Sequence, residues 1–152
     1  MKFIFDFDDV IFETTPKFKE RLAGVQNNKE LYDKLMSESP NFVNQEILKL
    51  IRKAGKENCY MVTYGDKEFQ KEKIEKSGVS KLFSEIFIVQ NGKKEAVESI
   101  CAKHSEEQVL FIDDKAEHFE DLDFGKYLNL KTILFTSIAQ LRDALRDLSP
   151  HK

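Results

Sequence analysis

Short, continuously apolar runs recur along the chain between longer amphipathic or charged stretches. The β-rich runs are Lys2–Phe7, Cys59–Thr63, Glu85–Val89, Gln108–Ile112 and Lys131–Phe135. Because they are continuously apolar rather than alternating, they are expected to be buried on both faces, as strands of a helix-covered parallel sheet are. Helical stretches separate them. The pattern therefore predicts an α/β chain with a three-layer, Rossmann-like fold and a five-stranded, mainly parallel sheet.

Punctuation residues place the helices. Pro16 opens one that carries Phe18 and Leu22 and ends near Gly24, and Lys29–Met36 supplies Leu31, Tyr32 and Leu35 for a second. Val43, Ile47, Leu48 and Ile51 form a stripe that stops at Gly55, and Asp66 can cap a highly charged helix ending near Gly78. Val97, Ile100 and Cys101 mark the next helix. Ile138, Leu141, Ala144 and Leu145 mark the last, with Ser137 as its N-cap, and Ser149–Lys152 is expected to fray. Lysines and glutamates alternate over 67–76, which reads as a solvated helix face, with an anion-binding patch as the rival reading.

Composition narrows the class. At 152 residues the chain fits one domain, residues 1–152, with a core of useful size. A hydrophobic content of 41%, a charged content of 34% and a net charge of −3 describe a globular protein with no broad electrostatic reason to bind nucleic acid or an anionic membrane. Cys59 and Cys101 lie far apart without metal-ligand spacing and read as buried thiols. The first apolar run is too short for a signal sequence, and no run approaches membrane-spanning length, so a cytoplasmic location is expected.

The chemistry gathers at the carboxyl ends of the strands, where open parallel sheets bind ligands. The first strand runs into Asp6-Phe7-Asp8-Asp9-Val10, the second into Thr63-Tyr64-Gly65-Asp66, and the fourth into Asp113-Asp114, while Lys93-Lys94 opens the helix after the third. Two carboxylates as close as Asp6 and Asp8 repel unless a cation or proton lies between them. An acid after a strand is often only a cap or turn residue, yet a carboxylate directly after a buried run is expensive unless it is paired.

This ordered set resembles the haloacid dehalogenase-like (HAD) superfamily of phosphatases and phosphotransferases, and the likeness spans almost the whole chain. Asp6, Asp8 and Val10 match its first motif, Thr63 its second, Lys93 or Lys94 its third, and Asp113-Asp114 its fourth. The resemblance implies that Asp6 attacks phosphorus to form an aspartyl-phosphate, and that Asp8 protonates the leaving oxygen and then activates water. It also implies Mg²⁺ held by Asp6, the Asp8 carbonyl and the Asp113-Asp114 pair, with Asp114 favoured as direct ligand and Asp113 as water-bridged ligand or anchor. Thr63 and the backbone N–H groups of Phe7 and Tyr64 would bind phosphoryl oxygens, and a lysine would neutralise them. Lys93, four residues before Val97 and seven before Ile100, is favoured over Lys94. Glu117, Glu120 and Asp121 are candidates for the family's further acid, none an unambiguous match.

The gaps between motifs hold no full cap domain. Only a small helical insert at about 16–42 is available as a lid, so an open site is expected, acting on a phosphorylated small molecule or macromolecule. A dimer could also supply cover. Lys17, Lys19, Arg21, Tyr64, Lys67 and Lys115 are rim candidates, although solvated charge is their simpler reading. Among His104, His118 and His151, only His118 lies near the site, and none pairs with a Ser or Cys nucleophile. The leading function is a Mg²⁺-dependent phosphomonoester phosphatase, with a phosphotransferase or an inactive HAD-like regulatory module as alternatives. The presence of Asp8 disfavours a dehalogenase and the missing cap a phosphonatase. A receiver domain is disfavoured because the third strand ends in Val89-Gln90-Asn91, without an acid.

Overall fold

The computed structural model describes residues 1–148. Five strands, β1 (Lys2–Phe5), β2 (Cys59–Tyr64), β3 (Glu85–Val89), β4 (Val109–Asp113) and β5 (Leu130–Leu134), form one sheet in the order β3-β2-β1-β4-β5. Every pairing is parallel, with Phe3 opposite both Cys59 and Leu110. β1 stops before Asp6 and Phe7, which the sequence pattern included. The Asp6 N–H still donates to the Ile112 carbonyl at 3.0 Å, and the chain then turns out of the ladder.

Alternate strand residues face opposite layers. Phe5, Met61, Leu110, Ile112 and Ile133 pack with Ile47, Leu48 and Ile51 of α3 (Gln45–Ala54), Ile74 of α4 (Lys67–Ser77) and Leu141 of α6 (Ile138–Leu148). On the other face Ile4, Tyr60, Val62, Phe111 and Leu130 meet Ala96, Val97, Ile100 and Cys101 of α5 (Lys94–Lys103). A fully buried side chain such as Ile47 contributes about 1.5–3 kcal/mol. The three-layer α/β architecture read from the sequence is the one observed.

Chain order sets the position of the site. From β1 the chain steps outward through β2 to β3, then crosses back by way of α5 to β4 on the other side of β1. The strand order reverses between β1 and β4, and ligands bind in the crevice that opens at such a reversal. Asp6 and Asp113 stand at the carboxyl ends of those two strands.

Asp66, Gly78 and Ser137 punctuate the helices as expected, whereas Pro16 lies inside a π-helical turn at Thr14–Phe18 and the first α-helix begins only at Lys19. Asn44 caps α3 by accepting from the Glu46 and Ile47 N–H groups, Asp66 caps α4 by accepting from Phe69, and Ser137 Oγ accepts from Gln140 at the start of α6. Gly78 ends α4 in the left-handed conformation that a residue without Cβ adopts at no steric cost. The insert forms α1 (Lys19–Ala23) and α2 (Lys29–Ser37), and its Phe18, Leu35, Met36 and Phe42 are buried in the core. Among the described residues no helix is long and apolar enough to cross a membrane.

One expectation needs correction. The charged helix α4 is not solvated along its whole polar length, because Gln70, Lys73 and Ser77 are buried beside Ile74. The fraying expected at Ser149–Lys152 falls outside the described residues.

Candidate active site

The turn after β1 projects three carboxylates in different directions. The Phe7 carbonyl accepts from the N–H groups of Ile11 and Phe12, closing a tight loop in which Asp9 takes a left-handed φ of 63°. Aspartate tolerates that conformation better than most residues. Asp9 is fixed there by the Thr15 N–H at 2.7 Å and the Thr15 hydroxyl at 2.6 Å. Asp6 remains at the floor of the crevice, and Asp8 turns toward α4.

Lys93 lies at the centre. Its buried ammonium is 2.8 Å from Asp6 Oδ1 and 2.7 Å from Asp113 Oδ2, bridging the ends of β1 and β4. Lys94, one residue on, turns outward to Glu98 and the Asp121 carbonyl. The hundred-degree step of a helix accounts for the difference, since Lys93 shares the inner face with Val97 and Ile100.

Asp113 is saturated with partners. Besides Lys93, it accepts from the Lys115 N–H at 3.0 Å on Oδ1, and His118 Nδ1 lies 2.7 Å from Oδ2. Asp114 differs, because its Oδ1 is buried without a hydrogen-bond partner. An acceptor in that state is costly unless a cation or donor arrives. Asp6, Asp113 and Asp114 each present one carboxylate oxygen, and the three oxygens lie within 4.8 Å of one another. The donor set is all oxygen, which fits a hard divalent cation such as Mg²⁺.

The electrostatics agree with that fit. Burial raises the Asp6 carboxyl well above its ordinary range; Lys93 opposes the rise and the Asp113 charge adds to it. Burial also raises Asp114, assisted by repulsion from Asp113 and Asp9 and opposed by contact with Asp6. The cluster holds more negative charge than one ammonium balances, and a divalent ion would reverse both shifts.

The remaining expected residues are distributed unevenly. Thr63 is fully buried at the end of β2 and accepts from Gln70 Nε2 at 2.9 Å. The Phe7 N–H donates to Asp6 Oδ1 at 2.8 Å, and the Phe7 ring belongs to the core. Tyr64 is exposed and lines a cleft of about 60 Å³ with Asp6, Asp8, Asp9, Lys93, Asp114, Lys115 and His118. Lys17 pairs with Glu13 and Arg21 with Glu38, so of the rim candidates only Tyr64 and Lys115 line the cleft. Glu117, Glu120 and Asp121 do not line it either. His104 bonds instead to Tyr60, and His151 lies outside the described residues.

Sequence reasoning overlooked three residues that hold Asp8. Lys73 Nζ and Gln70 Nε2 reach Asp8 Oδ1 and Oδ2 at 2.8 and 2.9 Å, and the Thr14 hydroxyl meets Oδ1 at 2.5 Å. The available signal was the spacing Gln70, Lys73, Ile74, Ser77, which is one helical face although three of its members are polar. Beside the cleft, sharing Asp9, Asp114 and Lys115 with it, runs a groove of about 660 Å³ that ends on Phe135 and Ile138.

Fold comparison gives the class this architecture defines. A haloacid dehalogenase-like protein of Burkholderia xenovorans LB400 superposes with a TM-score of 0.62 at 15% identity, covering 86% of this chain and 81% of that one. The HAD-hydrolase YfnB of Bacillus subtilis, solved with magnesium bound, gives 0.51 at 17% identity, covering 86% and 84%. A HAD-like family hydrolase of Xanthomonas campestris gives 0.50 at 14% identity, covering 76% and 75%. No protein-family model and no curated protein matches the sequence. The chain thus has the HAD-like hydrolase fold, with an aspartate cluster at its topological switch point.

Proposed function

We propose that this chain is a Mg²⁺-dependent phosphatase that hydrolyses a phosphomonoester through an aspartyl-phosphate on Asp6. The observation that carries the reading is the buried Asp114 Oδ1 without a partner, set within the Asp6–Asp113–Asp114 cluster that Lys93 only partly neutralises. Asp6, the Asp8 carbonyl and Asp114 would hold the ion, with Asp113 fixed by Lys93, Lys115 and His118 as its anchor. When bound, Mg²⁺ supplies positive charge against the phosphoryl oxygens and the attacking carboxylate.

In the first half-reaction, an Asp6 oxygen forms a bond to phosphorus as the bond to the leaving oxygen breaks. Asp8 gives that oxygen its proton. In the second, Asp8 takes a proton from water, the water oxygen bonds to phosphorus, and the bond to Asp6 breaks to release inorganic phosphate. Lys93 neutralises the transferred group from the crevice floor. Thr63, whose Oγ accepts from Gln70, donates its O–H to a phosphoryl oxygen, and the Tyr64 N–H adds a second donor.

The chain is read as one domain, 1–152; among the described residues the 16–42 insert packs as part of the core and the cleft stays open toward the adjoining groove. That openness favours a leaving group of some size, a phosphorylated metabolite or macromolecule. Two buried free thiols suit a reducing cytoplasm. The test is a panel of phosphorylated metabolites and phosphopeptides, assayed for inorganic phosphate with and without Mg²⁺, beside Asp6→Asn. Turnover that needs Mg²⁺ and vanishes in Asp6→Asn is the expected result. A panel inert with the ion present, or turnover retained by the variant, refutes the reading.

A further inference from the structure

The buried face of α4 is polar where a helix lying on a sheet ordinarily carries aliphatic side chains. Lys73 is its extreme member. Its side chain is 3% exposed, and its ammonium lies 4.7 Å from the Phe69 ring centroid and 5.5–5.7 Å from those of Phe12, Phe7 and Phe18. Among the described residues its one ion-pair partner is Asp8, which lines the cleft and is 29% exposed.

An ammonium in such a pocket is expensive to desolvate, and four ring faces return only part of the loss. A methionine of similar length would fill the same space without that loss. The fold therefore has no need of the charge, whereas Asp8 does use it. Lys73 and Thr14 both occupy Asp8 Oδ1, and Gln70 holds Oδ2 while its amide also donates to Thr63. The ring pocket cannot serve a substrate directly, because Lys73 is not among the residues that line the cleft.

We infer that Lys73, with Gln70, is a positioning residue for phosphoryl transfer, locking the Asp8 carboxyl with Lys73 on Oδ1 and Gln70 on one side of Oδ2, so that the remaining position on Oδ2 exchanges the proton. The inference rests on the phosphatase reading above and deepens it. As the bond from phosphorus to the leaving oxygen breaks and the Asp6–phosphorus bond forms, the proton on Oδ2 passes to that oxygen. A carboxyl free to rotate presents the proton in the right place less often. Poor leaving groups need that proton most, so loss of the lock is felt according to the leaving group.

The experiment compares the full-length protein with Lys73→Met, Thr14→Val and Asp6→Asn, in Mg²⁺, on p-nitrophenyl phosphate and on an alkyl phosphate. Lys73→Met is expected to stay folded, because Asp8 is 29% exposed, can take up water in place of the ammonium and keeps its Thr14 and Gln70 donors. Its kcat/KM, which reports the leaving-group step, should fall by about 100-fold on the alkyl ester, the lower end of the range for general acid–base help, and by about 10-fold on the aryl ester, whose leaving group needs the proton less. Thr14→Val, a half-exposed change that removes one Oδ1 donor, should show the same grading at smaller size. Wild-type kcat/KM in Lys73→Met on both esters, or an equal loss of kcat/KM on both, overturns the inference while leaving the phosphatase reading intact. If Lys73→Met does not fold, ungraded kinetics in Thr14→Val overturn it. A wild-type protein that cleaves neither ester nor any other phosphate removes both readings.

Discussion

Replacing Lys93 by methionine is the most demanding test of how the site is held together. The ammonium sits 2.8 Å from Asp6 and 2.7 Å from Asp113, with the Phe111 ring 5.9 Å away, on a side chain only 1% exposed. At an effective dielectric of about 20, each contact is worth about 6 kcal/mol of gross attraction, most of it offset by desolvation of the three ions. Removing one member of a buried pair leaves the others uncompensated, which typically destabilises by about 3–5 kcal/mol. In a chain of this size each kcal/mol moves the melting temperature by about 2–4 °C, so the expected loss is about 6–20 °C. The sign of the pH dependence follows from Asp6, whose folded carboxyl titrates above its unfolded one. Its stabilisation is complete at low pH, where it keeps its proton in the fold, and is lost as pH rises through the raised folded value. Without Lys93 the rise grows, so the deficit should widen from pH 4 to pH 8 in EDTA and shrink when millimolar Mg²⁺ replaces the missing charge. Thermal melts by circular dichroism measure all of this. A deficit under about 2 °C at pH 8 in EDTA, or one that widens on acidification, refutes the reasoning.

Other predictions separate the individual parts. Asp114→Asn removes a carboxylate that burial and two neighbouring acids already disfavour, so it should melt at or above wild type in EDTA at neutral pH yet lose the rise produced by Mg²⁺; a full Mg²⁺ response would contradict its place as a direct ligand. His118→Ala only loosens the anchor of Asp113 and should weaken Mg²⁺ binding by about 10–100-fold in titration calorimetry, not abolish it. Gly65→Ala places a Cβ 2.9 Å from Gln70 Cγ at a φ of 151°, which should cost about 1–3 kcal/mol in urea melts and pull Gln70 off Asp8, lowering kcat; an unchanged urea midpoint speaks against it. Burial pushes the Cys59 thiol up to about 12 and Cys101 to about 11, so a thiol reagent at pH 8 should label neither in the folded protein and both once it is unfolded.

The legible part of the chain was the part whose periodicity and chemistry agree. Strand runs buried on both faces stand out because every residue from Val109 to Asp113 is buried, and the ladder places Asp113 one residue beyond the point where apolar side chains stop. Lys93 could be separated from Lys94 by counting back from Val97 and Ile100, because a helix packed on a sheet has one inner face. Two carboxylates in a pair such as Asp113-Asp114 look alike in sequence. What distinguishes them is the number of donors that converge on each, and those donors come from Lys93, Lys115 and His118, up to 20 residues away along the chain.

The face of α4 escaped for a different reason. Hydrophobic periodicity detects burial only where burial is driven by apolar surface, whereas Gln70 and Lys73 are buried because Asp8 and Thr63 receive their hydrogen bonds. In a run as charged as 67–76, a lysine aimed inward has the same letter as one aimed at water. The discriminating fact is the ring set from Phe7, Phe12 and Phe18, which arrives from another segment and closes around the ammonium. Those three phenylalanines read locally as core, and in the fold they also exclude water from a cation. A helix that must lie against a sheet exposes such residues to a simpler search: any polar set at i, i+3, i+4 and i+7 on the face that topology buries has to find partners inside. Where the strand ends nearby carry carboxylates, those partners are the site itself.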